Sequence, residues 1–313
     1  AALLRPAVAA PAALGGGAGR PGRDVFATLL DEHESYLPGV QALAASLLES
    51  NNTQPLVVIT TAQRESWSPA LLATAACLNL TLVRGERLGE GRDEGKYNSQ
   101  GIDKLFAFGL PAARVVYLDA DMVVLGALGG LFRPKGRRLL AVEDAMVGDG
   151  FNSGLLAMRP DPKIYERMKR QLESDAGSLA FGDQGFLNEF FREYWERTPK
   201  ARLPLEFNVV RLLERNHGFS GRDFDPSWIR VLHFVGEKKP WMTTSFNKAY
   251  PVSQGLFNSS AEAYVRRCGS PRGASDASGF CEGEAAVPGG FAPRLCHPSS
   301  SSSSAPSSSP TSS

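Results

Sequence analysis

Two aspartates interrupt the most apolar stretch of the chain, VVYLDADMVVL at Val115–Leu125. Asp119 and Asp121 lie two positions apart, and side chains at this spacing in a strand point to the same side. Two carboxylates that converge in apolar surroundings lose their hydration and repel each other. A cation between them would offset this cost. Their hard oxygen atoms favour Mg²⁺, Mn²⁺ or Ca²⁺. The pair therefore predicts a divalent-metal site with open positions that phosphate oxygens could occupy.

A pair of aspartates separated by one residue is common by chance, so the surrounding residues decide between alternatives. A solvated surface turn does not need the four β-favouring residues that precede Asp119. A calcium loop would have Gly and Glu at EF-hand spacing, and the sequence has neither there. A phosphatase with an aspartate nucleophile stays open as an alternative, although Met122 and Val123 stand where that motif has Gly and Thr.

A second polar segment, HFVGEKKPW at His233–Trp241, carries residues suited to the same ligand. His233 would add a nitrogen ligand, which is more typical of Mn²⁺ than of Mg²⁺ or Ca²⁺. Gly236 permits a close approach of the backbone to a ligand, and Lys239 offers a positive charge to a phosphate. A histidine by itself is more often structural, but the fixed spacing of these residues favours a binding role.

The elements that must position these residues alternate along residues 24–250. Besides the stretch described above, β-favouring apolar runs predict strands at 24–30, 55–61, 81–84, 138–143, 153–159 and 230–235. Helical spacing of apolar residues predicts helices at 35–50, 68–80, 98–110, 161–174 and 183–195. This alternation indicates an α/β fold with a mainly parallel central sheet and helices on both faces. Such sheets bind ligands at the carboxyl ends of their strands, which is where the two aspartates lie.

The chain resembles glycosyltransferase family 8, and within it the glycogenin-like UDP-hexose transferases. The resemblance covers residues 24–250 and rests on five motifs in the family's order: YLDADMVVL, FNSGLLAM (Phe151–Met158), GDQGFLN (Gly182–Asn188), RLPLEFN (Arg202–Asn208) and HFVGEKKPW. It implies a GT-A (Rossmann-like) nucleotide-sugar transferase fold. It also implies a retaining transfer of a hexose from a UDP-sugar that depends on Mn²⁺, with Mg²⁺ as the alternative ion.

The resemblance assigns roles residue by residue. It implies that Asp119, Asp121 and His233 hold the metal ion. It implies catalytic roles for Lys104, Asp183 and Gln184. The residues that it places around the UDP-sugar are Thr28, Leu29, Tyr36, Lys104, Asp119, Ala120, Asp121, Asp144, Asn152, Ser153, Gly154, Gly236 and Lys239. Compared with the family's pattern, one extra residue separates Leu29 from Tyr36.

Two of these residues also have structural interpretations. Asp183 could cap the helix predicted to begin at Gln184. Lys104 lies on an otherwise apolar helix face, from which its ammonium could extend to solvent. Retention through double displacement would need a carboxylate beneath the sugar, for which Asp183 is the candidate among the motifs, and attack from the same face stays open.

Two features depart from the glycogenin-like pattern. Those members are glucosylated on a tyrosine of their own, and the corresponding interval here, residues 205–229, contains no tyrosine. Ala180 stands where they carry an acidic residue, three positions before Asp183. We therefore expect transfer of glucose, with glucuronate, xylose and galactose as alternatives, to another acceptor, which could be a glycan, a protein or a lipid. A non-catalytic scaffold that binds UDP-sugars is the alternative function, and a homodimer is compatible with either.

The composition excludes some partners. The 313 residues carry 34 Lys and Arg against 33 Asp and Glu, and this net charge of +1 gives no electrostatic basis for binding nucleic acid. No apolar run reaches the ~18 residues of a membrane span. Low complexity predicts disorder for residues 1–23 and for the Ser-rich end from about residue 297. This leaves residues 24–250 as the catalytic domain and residues 251–313 as a C-terminal tail.

Cysteines and sequons give information on the compartment. Cys77 lies in a predicted helix and the other three cysteines lie in the tail, with no zinc-binding spacing. Two alternatives stay open for these cysteines: one disulfide within the tail, or free thiols. Asn51, Asn79 and Asn258 each begin an N-x-[ST] sequon, which favours the Golgi or secretory lumen over the cytosol. Because residue 1 is alanine, we expect a fragment or a processed form, in which an upstream signal or anchor would not be visible.

Overall fold

The computed structural model describes residues 22–88, 99–133, 138–144, 150–174, 182–216, 224–242 and 244–269. The strands are β1 (Asp24–Leu30), β2 (Leu56–Thr60), β3 (Thr81–Arg84), β4 (Arg114–Leu118), β5 (Met122–Val124), β6 (Leu139–Glu143), β7 (Phe151–Met158), β8 (Arg202–Leu203), β9 (Val209–Val210) and β10 (Val231–His233). The α-helices are α1 (Leu37–Glu49), α2 (Pro69–Leu78), α3 (Pro162–Ser174), α4 (Gly182–Phe190), α5 (Arg192–Arg197), α6 (Ser245–Lys248) and α7 (Pro251–Cys268).

The central sheet has seven strands in the order β3-β2-β1-β4-β7-β6-β8. The first four strands pair in parallel, β7 runs antiparallel to both β4 and β6, and β8 pairs in parallel with β6. This arrangement confirms the predicted α/β fold with a mostly parallel central sheet. It places the carboxyl ends of β1 to β4 along one edge, where ligands of such sheets bind.

The apolar stretch that contains the two aspartates is divided between two sheets. β4 ends at Leu118 in the central sheet, whereas β5 pairs antiparallel with β10 in a second sheet of order β5-β10-β9. The prediction of one continuous buried strand was therefore wrong in this detail, because the chain changes sheets at Asp119–Asp121. The change brings His233 opposite Met122, next to the aspartates.

Two predicted helices differ in detail from the structure. The helix predicted at 98–110 is a 3₁₀-helix, Ser99–Gly109. Its buried residues Ile102, Leu105 and Phe108 recur at every third position, which is the repeat of a 3₁₀-helix. The helix predicted at 183–195 is divided at Phe191 into α4 and α5. The Phe191 ring packs against the ring of Phe108.

The segment that follows residue 250, assigned to the tail from the sequence, forms helix α7. This helix packs against α1 and α2, and the Tyr264 hydroxyl lies 3.0 Å from the Thr74 hydroxyl of α2. A disulfide joins Cys268 at the end of α7 to Cys77 in α2. The expectation of a disulfide within the tail or of free thiols was thus wrong for these two cysteines, while Cys281 and Cys296 lie outside the described residues.

Among the described residues, no helix has the length and apolar character needed to cross a membrane.

The predicted start of α2 is confirmed, since the Ser68 hydroxyl accepts a hydrogen bond from the Leu71 N–H at 3.0 Å. These helices and strands together fix the sheet edge that carries the candidate site.

Candidate active site

The two aspartates are held in place by the strands on either side of them. The Asp119 N–H donates to the Gly154 carbonyl in β7 at 2.8 Å, and the Phe234 N–H donates to the Asp121 carbonyl at 2.9 Å. Gly154 is required at its position because a Cβ there would lie 2.4 Å from the His233 ring. Backbone hydrogen bonds and one close glycine contact therefore bring Asp119, Asp121 and His233 together.

These three side chains form a group of metal-ligand type. Their candidate ligand atoms all lie within 4.8 Å of one another. His233 Nε2 lies 3.4 Å from Asp121 Oδ1 and 3.9 Å from Asp119 Oδ2. Asp121 and His233 are buried and Asp119 is partly exposed. Two carboxylates and an imidazole nitrogen form a donor set that suits a divalent first-row metal ion.

The His233 ring is oriented by Asn208, a residue for which sequence reasoning gave no role. His233 Nδ1 lies 3.0 Å from Asn208 Oδ1, and Asn208 Nδ2 donates to Asn152 Oδ1 at 2.7 Å. Because the Asn208 amide nitrogen donates a hydrogen bond to Asn152, the Asn208 oxygen faces His233 and accepts a hydrogen bond from Nδ1–H. This leaves the Nε2 lone pair directed toward the aspartates. The signal available in the sequence was the asparagine that ends the RLPLEFN motif.

Lys104 connects the metal-ligand group to helix α4. Its ammonium lies 2.8 Å from Asp119 Oδ1 and 2.7 Å from Asp183 Oδ2, and 5.3 Å from the centre of the Tyr117 ring. Burial alone would lower the pKa of Lys104, but the charges of Asp119 and Asp183 outweigh it and raise the pKa above its usual value. Lys104 is only 5% exposed, so the interpretation in which its ammonium extends to solvent was wrong.

Asp183 lies in the first turn of α4 with its carboxylate turned toward the same place. Its Oδ2 accepts a hydrogen bond from the Ser153 hydroxyl at 2.7 Å in addition to the Lys104 contact. A Cβ on Gly101 would lie 2.9 Å from Asp183 Oδ1, so the 3₁₀-helix passes close to this carboxylate. Two donors on this oxygen fix the direction in which the Asp183 carboxylate points.

A network of amide and carboxylate groups continues from α4 into β7. The Gln184 Nε2 and Asn152 Nδ2 groups both donate to Asp144 Oδ2, at 2.8 and 3.2 Å. The Ser153 N–H donates to Gln184 Oε1 at 3.2 Å. Since Asn152 also contacts Asn208, this network reaches from Gln184 to His233. The structure thus brings the predicted residues Asp144, Asn152, Ser153 and Gln184 into one polar wall; Ala180 lies outside the described residues.

Lys239 pairs with Asp121, whereas Lys104 pairs with Asp119. The Lys239 ammonium lies 2.5 Å from Asp121 Oδ2 and 5.3 Å from the centre of the Tyr36 ring. Burial would raise the pKa of Asp121, but the positive charge of Lys239 holds that pKa well below its usual range. Asp121 is therefore ionised and Lys239 is its counter-ion.

Arg211 and Asn247, which were not predicted from the sequence, hold the loop that carries Lys239 through its backbone carbonyls. The buried Arg211 guanidinium donates to the carbonyls of Lys238 and Val235 and, at 3.0 Å, to Asn247 Oδ1. Asn247 Nδ2 donates to the carbonyls of residues 239 and 242, at 2.8 and 2.6 Å. The only sequence signal was a charged residue directly after the apolar pair Val209–Val210. Gly236 in this loop has a φ of +89°, a conformation that favours glycine.

Three of the residues expected around the UDP-sugar, Thr28, Leu29 and Tyr36, lie on β1 and just before α1. Thr28 is fully buried in β1, and its hydroxyl has no hydrogen-bond partner among the described residues. Leu29 is partly exposed. Tyr36 precedes α1, and its ring packs edge-on against Trp241 at 5.3 Å between ring centres. The structure therefore brings Tyr36 to Lys239, whose ammonium lies over the Tyr36 ring.

A cavity of about 840 Å³ opens at the carboxyl ends of β1, β2 and β3. Its lining includes Glu32 after β1, Thr61 after β2 and Arg84 at the end of β3. The three metal-ligand residues do not line it, so the cavity and the metal-ligand group are separate parts of the same sheet edge. Both lie where a ligand of this fold binds.

Comparisons with known proteins agree with this geometry. The sequence model of the family described as "Glycosyl transferase family 8" matches residues 28–245. UDP-glucuronate:xylan alpha-glucuronosyltransferase 2 of Arabidopsis thaliana is 29% identical over 251 residues, which cover 79% of this chain and 40% of the plant protein. Glycogenin-1 of Oryctolagus cuniculus is 27% identical over 237 residues, with 71% of this chain and 67% of the rabbit protein covered.

Solved structures show the same fold. The apo form of the glycosyltransferase GlyE of Streptococcus pneumoniae superimposes with a TM-score of 0.58 at 17% identity, over 78% of this chain and 63% of that chain. The galactosyltransferase LgtC, solved in complex with donor and acceptor sugar analogues, gives a TM-score of 0.55 at 17% identity, over 75% of this chain and 95% of that chain. The α/β fold described above is therefore that of GT-A glycosyltransferases.

Proposed function

The chain belongs to glycosyl transferase family 8, and we propose that it transfers a hexose, with retention, from a UDP-sugar to an acceptor outside its own chain. The observation that carries this proposal is the convergence of Asp119, Asp121 and His233 between two buried lysines, Lys104 and Lys239. Carboxylates, an imidazole and ammonium groups at one place suit a metal ion with a diphosphate better than a neutral ligand.

Asp119, Asp121 and His233 would hold a divalent cation, and we propose Mn²⁺ because an imidazole ligand suits it better than it suits Mg²⁺. When bound, such an ion supplies positive charge that stabilises the diphosphate of the departing UDP. His233 is prepared for this role, since Asn208 holds Nδ1 and leaves Nε2 facing the aspartates.

Lys239 and the loop that carries it would bind the leaving group. Its ammonium is already desolvated and lies against Asp121, so a phosphate beside that carboxylate gains a second cation without a large rearrangement. The exposed backbone at Gly236 would provide further contacts to the diphosphate. Tyr36, whose ring contacts Lys239, would lie next to the nucleoside end of the donor.

The polar wall of Asp144, Asn152, Ser153 and Gln184 would bind the hydroxyls of the donor sugar. The Asp183 carboxylate lies at the end of this wall, where Lys104 and Ser153 hold it. Such a carboxylate stabilises the positive charge that develops at the anomeric carbon. In a double displacement it would also bond that carbon, so a trapped hexosyl ester on Asp183 distinguishes the two routes to retention.

We propose glucose as the transferred sugar, since the chain resembles the glycogenins in five motifs. Glucuronate is the second candidate, because one relative is named as a UDP-glucuronate transferase and because Ala180 lacks the negative charge that would repel a uronate. The acceptor is external, because residues 205–229 contain no tyrosine. Since the chain spans 40% of the length of that plant relative, the xylan named there is not carried over.

To test this proposal, the purified protein is incubated with UDP-glucose, UDP-glucuronate, UDP-xylose or UDP-galactose, in Mn²⁺ and in EDTA. The released UDP and the intact mass of the protein are then measured. We expect metal-dependent release from one donor and no added hexose mass. Mn²⁺-dependent binding of UDP with no release from any donor, in the presence of glycan, protein and lipid acceptors, would favour the non-catalytic scaffold. An added hexose mass on the protein would contradict the proposal that the acceptor lies outside the chain.

A further inference from the structure

Two of the three sequons lie in exposed turns that directly follow helices. Asn51 follows α1 and Asn79 follows the last residue of α2, and both are exposed with positive φ angles of 58° and 53°. Each begins an Asn-x-Thr tripeptide, the acceptor sequence for N-linked oligosaccharide. A left-handed turn by itself favours asparagine, so the sequons need independent support.

The position of these turns in the fold provides a first line of support. Each turn leads into a parallel strand, Asn51 into β2 and Asn79 into β3, and so lies at the amino-terminal edge of the parallel strands. Asp119 follows the carboxyl end of β4, which is parallel to β1, and thus lies at the opposite edge. An oligosaccharide on either asparagine would point away from the candidate active site.

The disulfide provides a second and independent line of support. Cys77 lies two residues before Asn79, and it is bonded to Cys268 across a sequence separation of 191 residues. Structural disulfides persist in oxidising compartments such as the endoplasmic reticulum lumen and are rare in the cytosol. The lumen is also where N-linked oligosaccharides are added, so two unrelated features of the chain indicate the same compartment.

We propose that Asn79 and Asn51 carry N-linked oligosaccharides and that the chain folds in the secretory lumen with Cys77 and Cys268 joined. In this modification the asparagine Nδ2 bonds the anomeric carbon of a lipid-linked oligosaccharide. The bond from that carbon to the diphosphate oxygen breaks, and the amide loses one proton. In forming the disulfide the two thiols pass two electrons and two protons to a thiol–disulfide oxidoreductase of the lumen. The proposal does not depend on the transferase activity.

The third sequon differs from these two. Asn258 lies inside helix α7, and its side-chain oxygen accepts a hydrogen bond from Gln254 Nε2 at 3.0 Å. The proposed sites are therefore the two turn sequons.

To test this proposal, the tagged protein is isolated from the cells that produce it. Its N-glycans are then released with an amidase in ¹⁸O water, which converts each modified asparagine to an ¹⁸O-labelled aspartate. Matched variants at the third sequon position separate the modification from the turn. Thr81→Ala and Thr53→Ala destroy the sequons and leave Asn79 and Asn51 in place, whereas Thr81→Ser and Thr53→Ser retain both the sequons and the turns.

We expect label at Asn79 and Asn51, loss of one glycan in each alanine variant and retention in each serine variant. A peptide map without reducing agent should contain a Cys77–Cys268 linked peptide. The proposal is overturned if both asparagines are found unmodified in the folded protein, or if both cysteines are alkylated as free thiols when the cells are lysed. Because no outcome involves UDP release, this result is independent of the proposed transferase activity.

Discussion

At the scale of single residues, Asn208 determines which nitrogen of His233 faces the aspartates. Its amide oxygen accepts from Nδ1–H, and its amide nitrogen is used by Asn152. Without this contact the His233 ring can rotate or adopt the other tautomer, and in both cases Nε2 is a poorer ligand.

Replacing Asn208 with alanine should therefore weaken Mn²⁺ binding by about 10- to 100-fold, the usual cost of losing a residue that supports a metal-bound histidine. The metal affinity can be measured by calorimetry. Asn208→Asp retains an oxygen opposite Nδ1 and loses only the hydrogen bond to Asn152, so it should lose less affinity than Asn208→Ala. Equal losses in the two variants would show that Asn208 acts through packing instead.

Asp183 is predicted to act on the transition state more than on donor binding. Asp183→Asn keeps the shape of the side chain and removes the charge that would face the anomeric carbon. We expect kcat to fall by about 100-fold or more, with little change in the affinity for UDP. A steady-state comparison with Ser153→Ala, which removes only one hydrogen bond to Asp183, gives the matched control. An unchanged kcat in Asp183→Asn would exclude the assigned role.

At the scale of elements, the loop from Val235 to Met242 depends on a clamp made by Arg211 and Asn247. These two side chains hold the loop by its backbone carbonyls and leave Lys239 free to face the site. We expect Asn247→Ala to raise KM for the UDP-sugar more than it lowers kcat, because a looser loop weakens contacts made in ground and transition states alike.

Arg211→Lys is the companion variant, since lysine keeps the charge and lacks the planar set of donors that reaches several carbonyls. It should also raise KM. Melting temperatures separate this effect from unfolding. If both variants lower the melting temperature and leave KM at the wild-type value, the clamp has no part in donor binding.

Sequence reasoning succeeded where the relevant signal is local. Alternating apolar runs predicted the α/β fold, and two aspartates in an apolar stretch predicted a metal site at Asp119 and Asp121. The place of His233 beside them was implied by the resemblance to family 8 and by no local pattern. Sequence reasoning failed where the cause is a distant partner. The change of sheets at Asp119–Asp121 depends on pairing with β10, and the roles of Asn208 and Arg211 depend on contacts that no local pattern contains.

At the scale of the whole molecule, the Cys77–Cys268 disulfide links α2 near the start of the fold to α7 at the end of the described residues. The double variant Cys77→Ser/Cys268→Ser should lose about 2–5 kcal/mol of the free energy of unfolding, because the unfolded chain is no longer cross-linked. Urea unfolding without reducing agent measures this loss. Wild-type protein unfolded with reducing agent present is the matched control and should fall to the stability of the variant. A double variant as stable as the oxidised wild-type protein would contradict the assignment.

The central claim is that Asp119, Asp121 and His233 form a metal site on which the binding of the UDP-sugar depends. The most direct measurement is calorimetric titration of UDP into the wild-type protein and into Asp121→Asn, each in Mn²⁺ and in EDTA, with equal melting temperatures as evidence that the variant is folded. We predict that the wild-type protein binds UDP tightly only in Mn²⁺ and that the variant loses this dependence. Unchanged UDP affinity of Asp121→Asn in Mn²⁺, or wild-type affinity that is equal in EDTA, would contradict the claim.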